Sequence, residues 1–140
     1  MKNSIQEWRV DGVKHRIDGP AVIWPDGHQE WWVEGNLHRL DGPAIIYQDG
    51  SQEWWVDGKL HREDGPAAIY ADGRQDWYLR GKLHRKDGPA QIYADGSQEW
   101  WLNGKYLARG FEGFWALWNE LNSDQRENAT LLKFLPGLPK

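Results

Sequence analysis

Apolar residues in this chain come in short clusters rather than long runs. Ala44-Ile45-Ile46-Tyr47 is followed by polar Gln48-Asp49-Gly50-Ser51, then by Gln52-Glu53-Trp54-Trp55-Val56. Asp57-Gly58-Lys59 breaks the pattern again before Leu60-His61-Arg62. Clusters of four or five β-prone residues separated by Asp-Gly read as strands joined by tight turns, because Gly accepts the positive φ that such turns need. Neighbouring side chains on a strand point to opposite faces, so Trp54 and Trp55 are predicted to serve different surfaces.

The same pattern returns in strict register. Asp-Gly-Pro begins at 18, 41, 64 and 87, a step of 23 residues each time. His-Arg keeps that step at His15-Arg16, His38-Arg39, His61-Arg62 and His84-Arg85, and so does a second Asp-Gly at Asp26, Asp49, Asp72 and Asp95. Gln-Glu/Asp-Trp starts at Gln6, Gln29, Gln52, Gln75 and Gln98. An uninterrupted period of this length marks a repeat protein, whose units stack to bury what one unit cannot. Pro after Asp-Gly suits a strand start, where no ladder N–H is required. The expected fold is mainly β: tandem antiparallel hairpin repeats forming one elongated, twisted sheet.

These residues carry a resemblance. The 23-residue period and aromatic-rich return strand resemble MORN repeats, and Leu60-His61-Arg62-Glu63-Asp64-Gly65-Pro66-Ala67 is similar to a variant found in phage and bacterial hypothetical proteins. The resemblance covers roughly Gln6 to Lys105 and departs from ordinary MORN repeats in Asp-Gly-Pro and His-Arg. It implies an extended hairpin array used for binding or assembly. It also implies the setting of a phage or bacterial accessory protein that inhibits a host or defence factor.

Two segments follow from the repeat's end: an array over 1–106 and a C-terminal piece over 107–140. At the last unit the His-Arg position reads Leu107-Ala108. Phe111, Phe114, Trp115, Trp118 and Leu121 then recur at helical spacing. Asn122-Ser123-Asp124 reads as a stop and a new N-cap, and Pro136 ends a second short helix. A helical cap packed on the array is the expectation, since a solenoid's open end needs covering.

Composition narrows the function. Eleven Trp in 140 residues is far above ordinary usage, and each ring can bury roughly 150–250 Å². The net charge of −4 argues against a general nucleic-acid binder, which draws its affinity from cationic contacts to phosphate. Cysteine is absent, so thiolate metal sites and disulfides are excluded. No apolar run is long enough for a membrane span, and a soluble cytoplasmic protein is the default expectation.

Candidate chemistry is repetitive. His and Asp three residues apart could act as an acid/base pair. The pair recurs four times, at His15/Asp18, His38/Asp41, His61/Asp64 and His84/Asp87, with no Ser or Cys nucleophile beside it. No unit shows a distinctive residue set, so an enzyme is not expected, and His and Arg are read as hydrogen-bonding turn carbonyls or pairing with Asp. Equivalent histidines two strands apart lie about 9–10 Å from each other, too far to share a zinc ion. No metal or cofactor is expected. His28 replaces Ser or Arg of the other turns and is read as solvent-exposed.

Binding remains. The first aromatic is always Trp, at Trp8, Trp31, Trp54, Trp77 and Trp100, and is assigned to the core side. The second position varies, as Arg9, Trp32, Trp55, Tyr78 and Trp101. Trp32, Trp55, Tyr78 and Trp101 are the candidate binding residues, with Arg39, Arg62 and Arg85 in an adjoining groove. Trp, Tyr and Arg are the types that dominate protein-interface hot spots. The expected partner is another protein, with a homodimer through the free edge near Ser4–Val10 as a related possibility. The alternative is a protein that sequesters a nucleotide or other anion on the Arg and aromatic groove, since Arg grips phosphate bidentately.

Overall fold

The computed structural model of the chain describes residues 4–109. Every regular element among them is a β-strand, most only two residues long. In one unit Val22–Ile23 and Gln29–Glu30 form a first hairpin, and Trp32–Val33 with Asn36–Leu37 a second. Ile45–Ile46, Gln52–Glu53, Trp55–Val56 and Lys59–Leu60 repeat the arrangement, as do the later units. The first hairpins join in a ten-stranded antiparallel sheet running from Gln6–Glu7 to Lys105–Arg109. The predicted helical cap over 107–140 lies outside the described residues from position 110 onward. No helix among the described residues is long and apolar enough to cross a membrane.

The expected single return strand is divided. Gln52–Glu53 belongs to the large sheet, whereas Trp55–Val56 pairs only with Lys59–Leu60 in a two-stranded ladder. Trp54 is the point of division. Its N–H donates to the Ala67 carbonyl of the following unit at 2.7 Å, and its carbonyl accepts from His61 N–H of its own unit at 3.0 Å. The cause is the turn just beyond. Asp57 and Gly58 both have positive φ, 50° and 76°, the left-handed pair that folds a two-residue hairpin straight back on itself. Successive side hairpins are tied by backbone bonds, such as Gly58 N–H to Leu37 C=O at 2.9 Å and Arg39 N–H to Trp55 C=O at 3.0 Å.

The core is thin and built from small side chains. Ala21, Ala44, Ala67, Ala68, Ala90 and Val22 are fully buried, and Trp100 is the largest side chain among the buried. The other first-column indoles are half-buried, because an arginine rather than apolar core covers them. The Arg62 guanidinium lies 4.0 Å from the Trp54 ring centre, Arg39 4.0 Å from Trp31, and Arg16 and Arg85 3.9 Å from Trp8 and Trp77. Arg62 Nε donates to Asp64 Oδ1 and its Nη1 to the Pro66 carbonyl, each at 3.1 Å. The guanidinium thereby fastens one unit's indole to the loop opening the next. It also explains the Gly of Asp-Gly-Pro: a Cβ on Gly65 would lie 3.0 Å from Arg62 Cζ.

Arginine thus follows the expected turn chemistry, and histidine departs from it. The His84 Nδ1 accepts from Asn103 N–H at 2.9 Å, and His15, His38 and His61 accept likewise from Glu34, Asp57 and Arg80. Each donor is the positive-φ residue of the next unit's turn, which points its N–H away from its own hairpin. Every histidine of the motif therefore clasps the following unit.

Three outcomes follow for stability. Arg62→Ala should cost about 1–3 kcal/mol, from a lost charged hydrogen bond and a lost cation–π contact. Urea unfolding of Arg62→Ala, Trp54→Ala and the double variant should show a coupling of about 1 kcal/mol; additive losses would contradict the stack. Burial, then the nearby Lys86 charge, hold the His84 imidazole below its usual 6.5. A folded-state value below the unfolded one means the native chain binds fewer protons, so this contribution is intact above about pH 6.5 and is lost as pH falls. The urea midpoint of the wild type should drop more between pH 8 and 5 than that of His84→Gln, and parallel curves would count against the clasp.

Candidate functional site: an aromatic and carboxylate face

Strand register assembles a row of carboxylates across the large sheet. Glu7, Val22, Glu30, Ile45, Glu53, Ala68, Asp76, Gln91, Glu99 and Arg109 stand opposite one another in successive strands. Directly paired residues share a face, so an acid appears on every second strand, about 9–10 Å apart. Two residues before the row on one strand come Gln-Glu neighbours of the turn: His28, Ser51, Arg74 and Ser97. Across from them stand Trp24, Tyr47, Tyr70 and Tyr93, each donating its backbone N–H to the turn residue's carbonyl.

The second aromatic column borders the row on its other side. Trp32 Nε1 donates to Glu30 Oε2 at 2.7 Å, Trp55 Nε1 to Glu53 at 2.8 Å and Trp101 Nε1 to Glu99 at 3.4 Å. Tyr78 takes the equivalent place beside Asp76, and burial first, then the Asp76 charge, raise its phenol. Burial first, and then the nearby Glu53 carboxylate, push the Tyr47 phenol up to about 12. Tyr70 and Tyr93 are raised in the same direction, by burial foremost.

The third unit differs from its neighbours, against the expectation that no unit has a distinctive set. Asp76, only 1% exposed, receives Arg74 Nε at 3.1 Å and Nη2 at 3.0 Å. The Arg74 guanidinium stands 5.3 Å from the Tyr70 ring centre and 4.9 Å from that of Tyr93. His28 also departs from expectation. It is packed rather than exposed, with its ring centre 5.8 Å from Trp24 and 4.9 Å from Tyr47, and Nε2 3.0 Å from Glu30 Oε1. The turn position concealed this, because the contact depends on the next unit's tyrosine coming alongside.

The candidate binding residues are thereby split between two faces. Trp32, Trp55, Tyr78 and Trp101 lie with the carboxylates. Arg39, Arg62 and Arg85 lie over Trp31, Trp54 and Trp77 on the other face, paired with Asp41, Asp64 and Asp87. That second face carries a row of open grooves, one of about 730 Å³ between Arg62 and Arg85 over Trp77 and Leu79. Its equivalents lie over Trp54 and Val56 and over Trp31 and Val33, and none of the three is lined by the second column. Exposed Ile17 and Leu40 edge the groove over Trp31.

Sequence reasoning missed the Trp24–Tyr47–Tyr70–Tyr93 row and the carboxylates. The signal was present: an aromatic two residues before each second Asp-Gly, and an acid in each Gln-Glu/Asp-Trp. Among the described residues no group of His, Asp and Glu could hold a metal ion.

The face makes a spectroscopic prediction. An absorbance titration should show the Tyr47 phenol ionising near 12, and Glu53→Gln should lower it while burial keeps it above 10. The raised value means the native state resists ionisation, so stability is lost as pH rises past 10. A Tyr47 transition, identified by its loss in Tyr47→Phe, that ignores Glu53→Gln would remove the carboxylate from this account. No protein-family model matches the chain, and no curated protein matches it, so the reading of this face rests on its geometry.

Proposed function

We propose that the chain is a non-enzymatic repeat scaffold that binds another protein through its aromatic and carboxylate face. One observation carries the reading. The His-Arg-x-Asp-Gly-Pro residues are consumed in holding unit to unit, whereas the tryptophan and tyrosine rows recur together on the other, half-buried face. Such rings supply large contact area at little cost in side-chain freedom, which is why they dominate interface hot spots. The likeness to MORN-type repeats supports the same reading. The setting of a phage or bacterial protein that inhibits a host or defence factor belongs to this proposal and rests on that likeness alone. Sequestration of a nucleotide or other anion has less in its favour, because Arg39, Arg62 and Arg85 already hold Asp41, Asp64 and Asp87.

The test compares capture by two surface variants. Tagged wild type, Trp55→Ala/Tyr70→Ala and Ile17→Glu/Leu40→Glu are used to isolate partners from a bacterial lysate, with circular dichroism confirming the fold. A stoichiometric partner should be lost with the first variant and kept with the second. The reverse would transfer the function to the groove face, and self-association alone on gel filtration would replace the foreign partner with a second copy.

A further inference from the structure

The four histidine junctions share one geometry and differ in their charges. At each, an imidazole Nδ1 accepts a backbone N–H from the next unit's turn: Glu34 donates to His15, Asp57 to His38, Arg80 to His61 and Asn103 to His84, at 2.9–3.1 Å. Only an imidazole without a proton on Nδ1 can accept. Each junction is therefore made with the uncharged ring, and its response to acid depends on whether nearby charges favour the charged one.

The surroundings of His61 show which positions count. Asp57, Lys59, Glu63 and Arg80 stand about it in one recess, acids balanced by bases, with Glu63 Oε1 3.7 Å from Nε2. One unit earlier the same positions about His38 are Glu34, Asn36, Leu40 and Asp57, acids without a base, and Asp57 Oδ1 lies 3.2 Å from Nδ1. About His15 they are Asp11, Val13, Ile17 and Glu34, again acidic. About His84 they are Arg80, Lys82, Lys86 and Asn103, all basic but for the amide. The Lys82 stem runs across this last junction, its Cδ 3.5 Å from where a Cβ on Gly104 would lie. On the groove side His84 also meets Arg62 and Arg85, each paired with its aspartate, Asp64 or Asp87, and Glu63, a lone acid against those cations. The grooves beside His38 and His61 add only such arginine–aspartate pairs, Arg16–Asp18, Arg39–Asp41 and Arg62–Asp64.

These differences set the sign of the acid response. Cations about a closed junction disfavour the imidazolium, so the closed form binds fewer protons than the open one and acid drives opening. Burial acts in the same direction at His84. The carboxylates at His38 act oppositely. A proton arriving on its Nδ1 turns the acceptor into a donor toward Asp57 Oδ1, and one bond replaces another.

We propose that the junctions form a graded acid-sensitive series, in which the one between His84 and Asn103 opens first as pH falls and the one between His38 and Asp57 last. The part released first is the side hairpin over 101–106, which Gly104 N–H to Leu83 C=O and Arg85 N–H to Trp101 C=O also tie to the preceding unit. The array thereby has a weakest joint at a defined place, set by residues that vary from unit to unit rather than by the recurring histidine.

In the full ¹⁵N-labelled chain each junction is reported by the amide that donates to its histidine. Between about pH 7.5 and 5.5 the exchange protection of the Asn103 N–H, taken relative to the unfolded chain at each pH, should fall at least about fivefold, and that of Asp57 less than about twofold. Lys86→Glu, which copies Glu63, and Asn103→Asp, which copies Asp57, should each at least halve the fall at position 103. Both side chains are exposed, so these variants keep the fold. Equal falls at all four donors, a larger fall at Asp57 than at Asn103, or no relief in either variant would each overturn the series.

Discussion

An arginine laid flat on a tryptophan holds this array together. In a sheet whose strands are mostly two residues long, backbone pairing alone fixes little, and the buried residues are largely alanines. Each guanidinium adds what the ladder lacks. It covers the indole of its own unit, holds the Asp of the next loop and caps a proline carbonyl, so three segments meet at one planar group. Lysine could not replace it, having no fork of donors and no flat face. The glycine beneath it and the aspartate beside it are consequences of that one placement.

Because the first tryptophan is anchored on one face, the residues beside it are committed to the other. The acid before it and the aromatic after it join the tyrosine row of the first hairpins. A recurring structural residue therefore sets out, unit by unit, a regular surface of rings and carboxylates. Units differ on this surface, with Ser51 and Ser97 against His28 and Arg74, Asp76 against glutamate and Tyr78 against tryptophan, and on the groove face at the position after His-Arg, which reads Ile17, Leu40, Glu63 and Lys86.

Much of this was legible in the sequence, and the losses have physical reasons. The period, the Asp-Gly turns and the opposite facing of Trp54 and Trp55 follow from local rules. Local rules could not show that Trp54 changes partners, because that depends on a turn three residues later closing on itself. Nor could they place Arg62 over Trp54, eight residues away, without knowing that Leu60–Arg62 folds back beneath the indole's own strand. The packing of His28 and the Arg74–Asp76 pair depend on cross-strand register, which a one-dimensional pattern carries only once every hairpin is aligned. The grouping of Arg39, Arg62 and Arg85 with the second aromatic column came from their nearness along the chain, whereas the sheet sends them to opposite faces.

The histidine clasp has a consequence for how such a chain can change length. Each histidine accepts from a backbone N–H of the unit that follows, so the junction asks nothing of that unit's side chain: Glu34, Asp57, Arg80 and Asn103 all serve. An interior unit can therefore be duplicated or deleted whole, in steps of 23 residues, and every surviving junction keeps its chemistry. Where Leu107 and Ala108 stand in place of His-Arg, that acceptor and that guanidinium are both missing, and the rule for adding another unit ends.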